Sequence, residues 1–267
     1  MIRDITIGQY FPGNSPVHRL DPRVKILLSL GYIILLFVAN NVPALVVGAL
    51  FVVVCYLISR IPLTMILRSL KPIVPIVLFT AVLNMFFIDG KELWSFGFLR
   101  ITQEGVLMAV LMSSRIICLI AGTTLLTYTT SPIALTDAIE RLLKPLNKVK
   151  LPVHELAMMM TIALRFIPTL IEETDKIMSA QKARGADLES GGIVQRAKAL
   201  VPILIPLFVS SFRRADELAL AMECRCYRGG EGRTRMKQLR MSWLDAAAAL
   251  VMLTVFAGVL AINFFLP

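Results

Sequence analysis

The chain of 267 residues is 57% apolar and 17% charged, with a mean hydropathy of +0.74. Soluble domains run at roughly 45–50% apolar and about 25% charged, so the composition excludes an ordinary aqueous globule. A net charge of +10 would suit a nucleic-acid binder, yet no zinc-finger spacing, RNP-like aromatic motif or basic tail accompanies it. The positive-inside bias of membrane proteins explains the same excess.

Residues 1–23 form a polar segment containing Arg3, His18, Arg19 and Arg23, with no apolar signal core, so the first span is expected to be an uncleaved anchor. Asp21-Pro22 reads as a helix start, with Asp21 as N-cap and Pro22 at the first helical position. Apolar runs follow at Val24–Ala39 and Ala44–Ile58, separated by the turn Asn40-Asn41-Val42-Pro43. Arg60–Lys71 is a basic, partly amphipathic return, and Pro72–Ile88 is a third run. After Asp89-Gly90, the aromatic stretch around Gly97, near 89–101, reads as an external hairpin or interfacial cap. Thr102–Thr130 gives the fourth span, with Glu104 in its first turn, where the helix dipole favours an acid. Transmembrane helices 1–4 therefore occupy 24–130. The cations cluster in the N-terminal segment, in Arg60–Lys71 and after Ser131, which places the N-terminus and both later segments in the cytosol.

Residues 131–240 differ in kind. They carry 18 of the 28 Lys and Arg and 12 of the 18 Asp and Glu. Three amphipathic stretches, Pro132–Pro145, Pro152–Gly185 and Gly192–Arg228, place apolar residues at helical spacing opposite charged ones. Leu200–Phe212 is apolar but short, and Pro168, Pro202 and Pro206 are expected to kink their helices, so each starts near the bilayer and ends outside it. Residues 241–267 form a last span, opened by Ser242 and Asp245 in capping-box spacing. The fold class expected is an all-α integral membrane protein with about five transmembrane helices and a cytoplasmic coupling domain of long amphipathic helices.

Reactive constellations are lacking. No Gly-x-x-x-x-Gly-Lys-Ser/Thr loop is present, so the chain is not expected to hydrolyse ATP by itself. His154-Glu155 lacks the second histidine of a zinc-protease helix, and Cys224-x-Cys226 is too small and too closely spaced for a metal site. Cys55 and Cys118 sit in apolar runs, and the cytosol disfavours a disulfide at Cys224 and Cys226. Arg115 is the one formal charge deep in an apolar span. With no intramembrane acid beside it, it is expected to face the bundle, bond to carbonyls or snorkel. Neither an inverted repeat nor spans lined with polar residues supports an autonomous channel or carrier.

The most informative feature is a near-duplication. One amphipathic stretch ends Ala183-Arg184-Gly185 and the other ends Cys224-Arg225-Cys226, each an arginine between small residues, with glycine following as a stop signal (Gly185; Gly229-Gly230). Small neighbours let a partner surface close around the guanidinium, whose planar fork of donors suits a carboxylate. The bland alternative is that each arginine only complements the negative end of its own helix. Two matched ends would suit two matched partners.

These motifs resemble the two Ala-Arg-Gly-type motifs of the transmembrane T component of energy-coupling factor (ECF) vitamin transporters. The opening Gly8-Gln9-Tyr10-Phe11-Pro12-Gly13-Asn14-Ser15 and His18-Arg19-Leu20-Asp21-Pro22-Arg23 are similar to its shared-module members. Cysteines 224 and 226 stand where alanine and glycine are common in that family. The resemblance implies a non-catalytic subunit of a bacterial cell membrane, with no cofactor of its own and ATP bound by its partners. Those partners would be two related ABC-type ATPases (EcfA and EcfA′), each receiving one arginine-tipped helix, and a substrate-capturing S component. Met158, Met159, Met160, Met178 and Met222 fit such a role as adaptable packing, or fit ordinary helix packing equally well. A dedicated biotin, cobalt or nickel transporter subunit is the alternative within the family.

Overall fold

A computed structural model describes residues 10–96, 99–145, 152–186, 192–229 and 239–265. Gly8 and Gln9 of the opening, Arg3, Gly97 of the hairpin and Gly230 behind the second motif lie outside the described residues. The helices are α1 (Pro16–Arg19), α2 (Pro22–Val38), α3 (Val42–Ser59), α4 (Leu63–Leu70), α5 (Val74–Phe87), α6 (Gln103–Thr129), α7 (Pro132–Leu143), α8 (Val153–Ala183), α9 (Ile193–Cys224) and α10 (Trp243–Phe265). A short antiparallel hairpin of β1 (Glu92–Phe96) and β2 (Leu99–Thr102) precedes α6. The chain forms two compact units, one holding residues 10–138 and 239–265, the other residues 139–229.

Among the described residues, five helical segments are long and apolar enough to cross a bilayer: Val42–Ser59, Leu63–Phe87, Gln103–Thr129, Val153–Ala183 and Trp243–Phe265. The total agrees with the expected number, but two members differ from the sequence reading. The first difference is α8, whose apolar first half meets the length and hydropathy of a span before Glu172, Glu173, Asp175 and Lys176 arrive. The second is α2, which has 17 residues and is about 26 Å long, slightly under the ~30 Å hydrocarbon core. Yet α2 turns Leu27, Leu30, Ile34 and Phe37 outward while Tyr32, Leu35 and Leu36 are buried. An apolar outer face around an apolar inner one is the pattern of a lipid-facing helix.

The first unit packs α2, α3, α6 and α10 around Leu35, Leu36, Ala44, Leu45, Val52, Leu111, Met252 and Val259. Lipid offers no hydrogen bonds, so polar groups here must be satisfied internally. Three tyrosines obey this: Tyr32 donates to the Gly48 carbonyl, Tyr56 to Ala121 and Tyr128 to Met65, at 3.2, 2.8 and 3.0 Å. The C-terminal carbonyls of α2 are treated the same way. Arg115 Nη2 donates to Ala39 at 2.6 Å, and Asn263 Nδ2 donates to Val38 at 2.6 Å. Arg115 thus bonds to a carbonyl inside the bundle, which is one of the structural roles expected of it.

At the other end of α2, Asp21 is the N-cap, its carboxylate accepting from the Arg23 N–H at 2.9 Å and pairing with the Arg23 guanidinium at 2.8 Å. The Asp21 N–H donates to Asp245 Oδ1 at 2.7 Å, while Ser242 donates its N–H and hydroxyl to Asp245 Oδ2 at 2.7 and 3.1 Å. The start of α10 therefore lies beside the start of α2, and Asn263 lies beside the end of α2, so the two helices run parallel. Lys25, buried, donates to the carbonyls of His18 and Thr129 at 3.1 and 2.8 Å.

Residues 10–19 close over this end. Phe11 N–H donates to Tyr128 at 2.9 Å. The His18 ring bridges the turn, Nε2 donating to the Phe11 carbonyl at 3.0 Å and Nδ1 accepting from the Ser15 hydroxyl at 2.7 Å. Burial pushes the His18 pKa down, the Phe11 carbonyl opposes that, and the nearby Lys25 charge adds to it.

Candidate functional site

The second unit contains both arginine motifs, and its helices α8 and α9 pack against each other. Arg214 of α9 forms an ion pair with Glu173 of α8, and Gln181 Nε2 donates to the Pro202 carbonyl at 3.3 Å. A higher number on α8 meets a lower number on α9, so the two run antiparallel. Their C-terminal tips consequently sit at opposite ends of the pair, separated by something on the order of 30 Å at 1.5 Å per residue. Within the same unit, Glu140 from the C-terminal end of α7 pairs with His154 of α8 at 3.0 Å.

The two helix ends are built alike. At the end of α8, Arg184 is the C-cap, Gly185 N–H donates to Lys182 at 3.0 Å, and Ala186 N–H donates to Gln181 at 3.0 Å. At the end of α9, Arg225 is the C-cap, Cys226 N–H donates to Glu223 at 2.8 Å, and Tyr227 N–H donates to Met222 at 3.0 Å. Both are Schellman motifs, in which one left-handed residue lets the chain turn back and satisfy the last carbonyls. That residue is Gly185 at φ +84° in the first and Cys226 at φ +55° in the second. The sequence reading assigned the second stop to Gly229-Gly230. Instead, Cys226 itself takes the left-handed position, and Gly229, at φ +86°, lies three residues further on, past the helix end.

Ala183, Arg184 and Gly185 are exposed, and so are Cys224, Arg225 and Cys226. Each guanidinium therefore stands at a helix end with small exposed neighbours on both sides. A Cβ built on Gly185 would meet nothing within 4 Å, so this tip is open to an approaching surface. Extensive apolar area is also exposed on this unit, including Leu156, Met159 and Met160 on α8 and Val201, Ile205, Phe208 and Phe212 on α9. Soluble monomers seldom show contiguous apolar surface of this kind outside interaction sites. Met158, Met178 and Met222 are half-buried.

Sequence reasoning missed the Glu173–Arg214 pair, since 41 residues separate its members and charge on one helix does not reveal its partner on another. It found Asp21 and Asp245 as separate caps but not their mutual contact. Among the described residues, no group of three or more His, Cys, Asp or Glu side chains is arranged to hold a metal ion.

Residues 13–236 match the family described as Cobalt transport protein (CbiQ). A Clostridium kluyveri protein called energy-coupling factor transporter transmembrane protein EcfT is 60% identical over 257 residues, covering 96% of this chain and 95% of that one. The protein of that name from Thermosediminibacter oceani is 60% identical over 247 residues, covering 92% and 93% of the two chains. Its namesake in Bacillus subtilis is 49% identical over 261 residues, covering 97% and 98%. Matches of this extent, over apolar spans and arginine-tipped helices alike, establish kinship along nearly the whole chain. The chain belongs to the EcfT family of energy-coupling factor transporter transmembrane proteins, within the broader Cobalt transport protein family.

Proposed function

We propose that this chain is the non-catalytic coupling subunit of an ECF-type ABC transporter for vitamins or related micronutrients. Arg184 and Arg225, each on an exposed and rigidly capped helix end, dock into grooves of two related ATPase subunits. Ala183, Gly185, Cys224 and Cys226 provide the small surroundings such grooves require. Closure and opening of the ATPase pair on ATP then displaces α8 and α9, and their exposed apolar faces pass that motion to a substrate-binding S component in the membrane. The chain itself holds no cofactor, the N-terminus faces the cytoplasm, and ATP is bound by the partners.

The observation carrying this reading is the repetition of one C-cap architecture with an arginine at the same position on two antiparallel helices. A helix that only needed its dipole neutralised would not require a matched arrangement on its neighbour. Purification of the complex from its native membrane is expected to yield two ATPase subunits and one small membrane protein. An Arg184→Ala, Arg225→Glu double variant should reach the membrane but lose the ATPases. Normal uptake by that variant would refute the docking roles.

The family description favours one further reading, a transporter dedicated to cobalt. It predicts a single fixed S component in the purified complex. The shared-module reading predicts exchange among several.

A further inference from the structure

A crevice of about 380 Å³ opens in the first unit between α2, α3, α6 and the first turns of α10, lined chiefly by Leu28, Tyr32, Phe51, Cys55, Ile58 and Leu125, with Ala247 and Val251 of α10. It is almost wholly apolar. Pro16 and Ile58 also border a second hollow of about 710 Å³, whose lining includes Asn14, Ser15 and Arg60. The two hollows thus adjoin, and together they form an apolar slot with a polar, cationic mouth.

The mouth lies where a bilayer would place its headgroups. Arg60 follows the last residue of α3 and sits at φ +53°, the left-handed C-cap that ends this candidate span. Arg60 is exposed, and no carboxylate among the described residues pairs with its guanidinium. From Lys25 to Tyr32 the slot follows α2 inward for about 10 Å, the length of seven helical residues. Its floor is set by a close approach: a Cβ on Gly122 would lie 2.4 Å from the Tyr32 ring, so only glycine leaves the ring this room. Lys25 borders the slot but is occupied by the His18 and Thr129 carbonyls, which leaves Arg60 as the available charge.

We infer that this slot holds one anionic phospholipid, its phosphate on Arg60 and one acyl chain between α2, α3, α6 and α10. Convex lipid-facing surfaces exchange their neighbours freely, whereas a concave apolar slot ending at a cation retains a particular molecule. Guanidinium matches phosphate in geometry as well as charge. A zwitterionic lipid fills the same slot with the weaker headgroup contact.

The test uses the full chain in nanodiscs of phosphatidylcholine containing a trace of phosphatidylglycerol with a photoactivatable acyl chain. Crosslinks are expected on peptides spanning Leu28–Tyr32 and Phe51–Ile58. Unlabelled phosphatidylglycerol should compete about fivefold better than phosphatidylcholine, the difference one interfacial arginine contributes. Arg60→Gln should abolish that preference, Arg60→Lys should keep most of it, and Ser29→Phe, at a position of α2 that lines the slot and would fill it, should lower labelling by either lipid. Equal competition by both lipids, crosslinks confined to other surfaces, or an Arg60→Gln protein with unchanged preference would overturn the inference. So would crosslinking of the slot to another protein chain in the native complex in place of lipid.

Discussion

The twin helix ends permit a matched pair of substitutions with opposite signs. Gly185 and Cys226 occupy the same left-handed position, at φ +84° and +55°. A residue with a Cβ is disfavoured there by roughly 1–2 kcal/mol, and glycine is not. Open space surrounds Gly185, so Gly185→Ala adds backbone strain without a clash. It should weaken the α8 cap by about 1 kcal/mol, and Cys226→Gly should strengthen the α9 cap by a similar or slightly smaller amount, because glycine also gains freedom when the end frays. At 25 °C this corresponds to roughly a fivefold change in the population of the frayed end. Hydrogen exchange by mass spectrometry on the intact protein in nanodiscs reads this directly. Amides at 184–186 should exchange about fivefold faster in Gly185→Ala, and those at 225–227 should exchange severalfold slower in Cys226→Gly. Equal exchange in wild type and both variants, or a change of the same sign in each, would refute the claim that these ends share one capping mechanism.

Other expectations follow from the remaining contacts. Either Arg184→Ala or Arg225→Glu alone should reduce ATPase co-purification or uncouple ATP hydrolysis from uptake, measured in proteoliposomes. Asp245→Ala leaves the Asp21 and Ser242 donors without their buried acceptor, and should cost about 3 kcal/mol; an unshifted thermal midpoint in detergent would contradict it. Arg115→Met uncovers the Ala39 carbonyl within the bundle and should cost about 1.5–3 kcal/mol, read the same way. His18 has a folded pKa below its ordinary 6.5, so the unfolded segment binds the proton more tightly. The closure of residues 10–19 should then be intact above pH 6.5 and loosen as pH falls below it. Exchange at these amides, corrected for intrinsic rates, should accelerate between pH 7.5 and 5.5 in wild type and stay flat in His18→Gln.

Local chemistry was the legible part of this fold. Asp21-Pro22 and Ser242 with Asp245 announced helix starts because capping depends on residues within one turn, and apolar runs announced spans because lipid requires them. What escaped depends on distance or on degeneracy. No feature of Asp21 discloses that its amide finds Asp245. An 18-residue apolar stretch reads alike whether it faces lipid or another helix, which is why α8 satisfies the requirements of a span. Cys226 was read only as a small neighbour of Arg225, because its left-handed backbone becomes visible only when the Tyr227 amide is seen reaching Met222. The arginines themselves stood out through repetition, while the Glu173–Arg214 clasp between their helices did not.

The parallel pairing of α2 with α10 bears on how the protein is made. The opening amide of α2 is received by Asp245, 224 residues later, and its closing carbonyl at Val38 by Asn263, 225 residues later. On a ribosome, α2 therefore waits for α10, made some two hundred residues later, before either terminus is saturated. Until α10 arrives, the nascent chain presents an open seam along α2, so a chaperone or insertase would have a long hold on that helix.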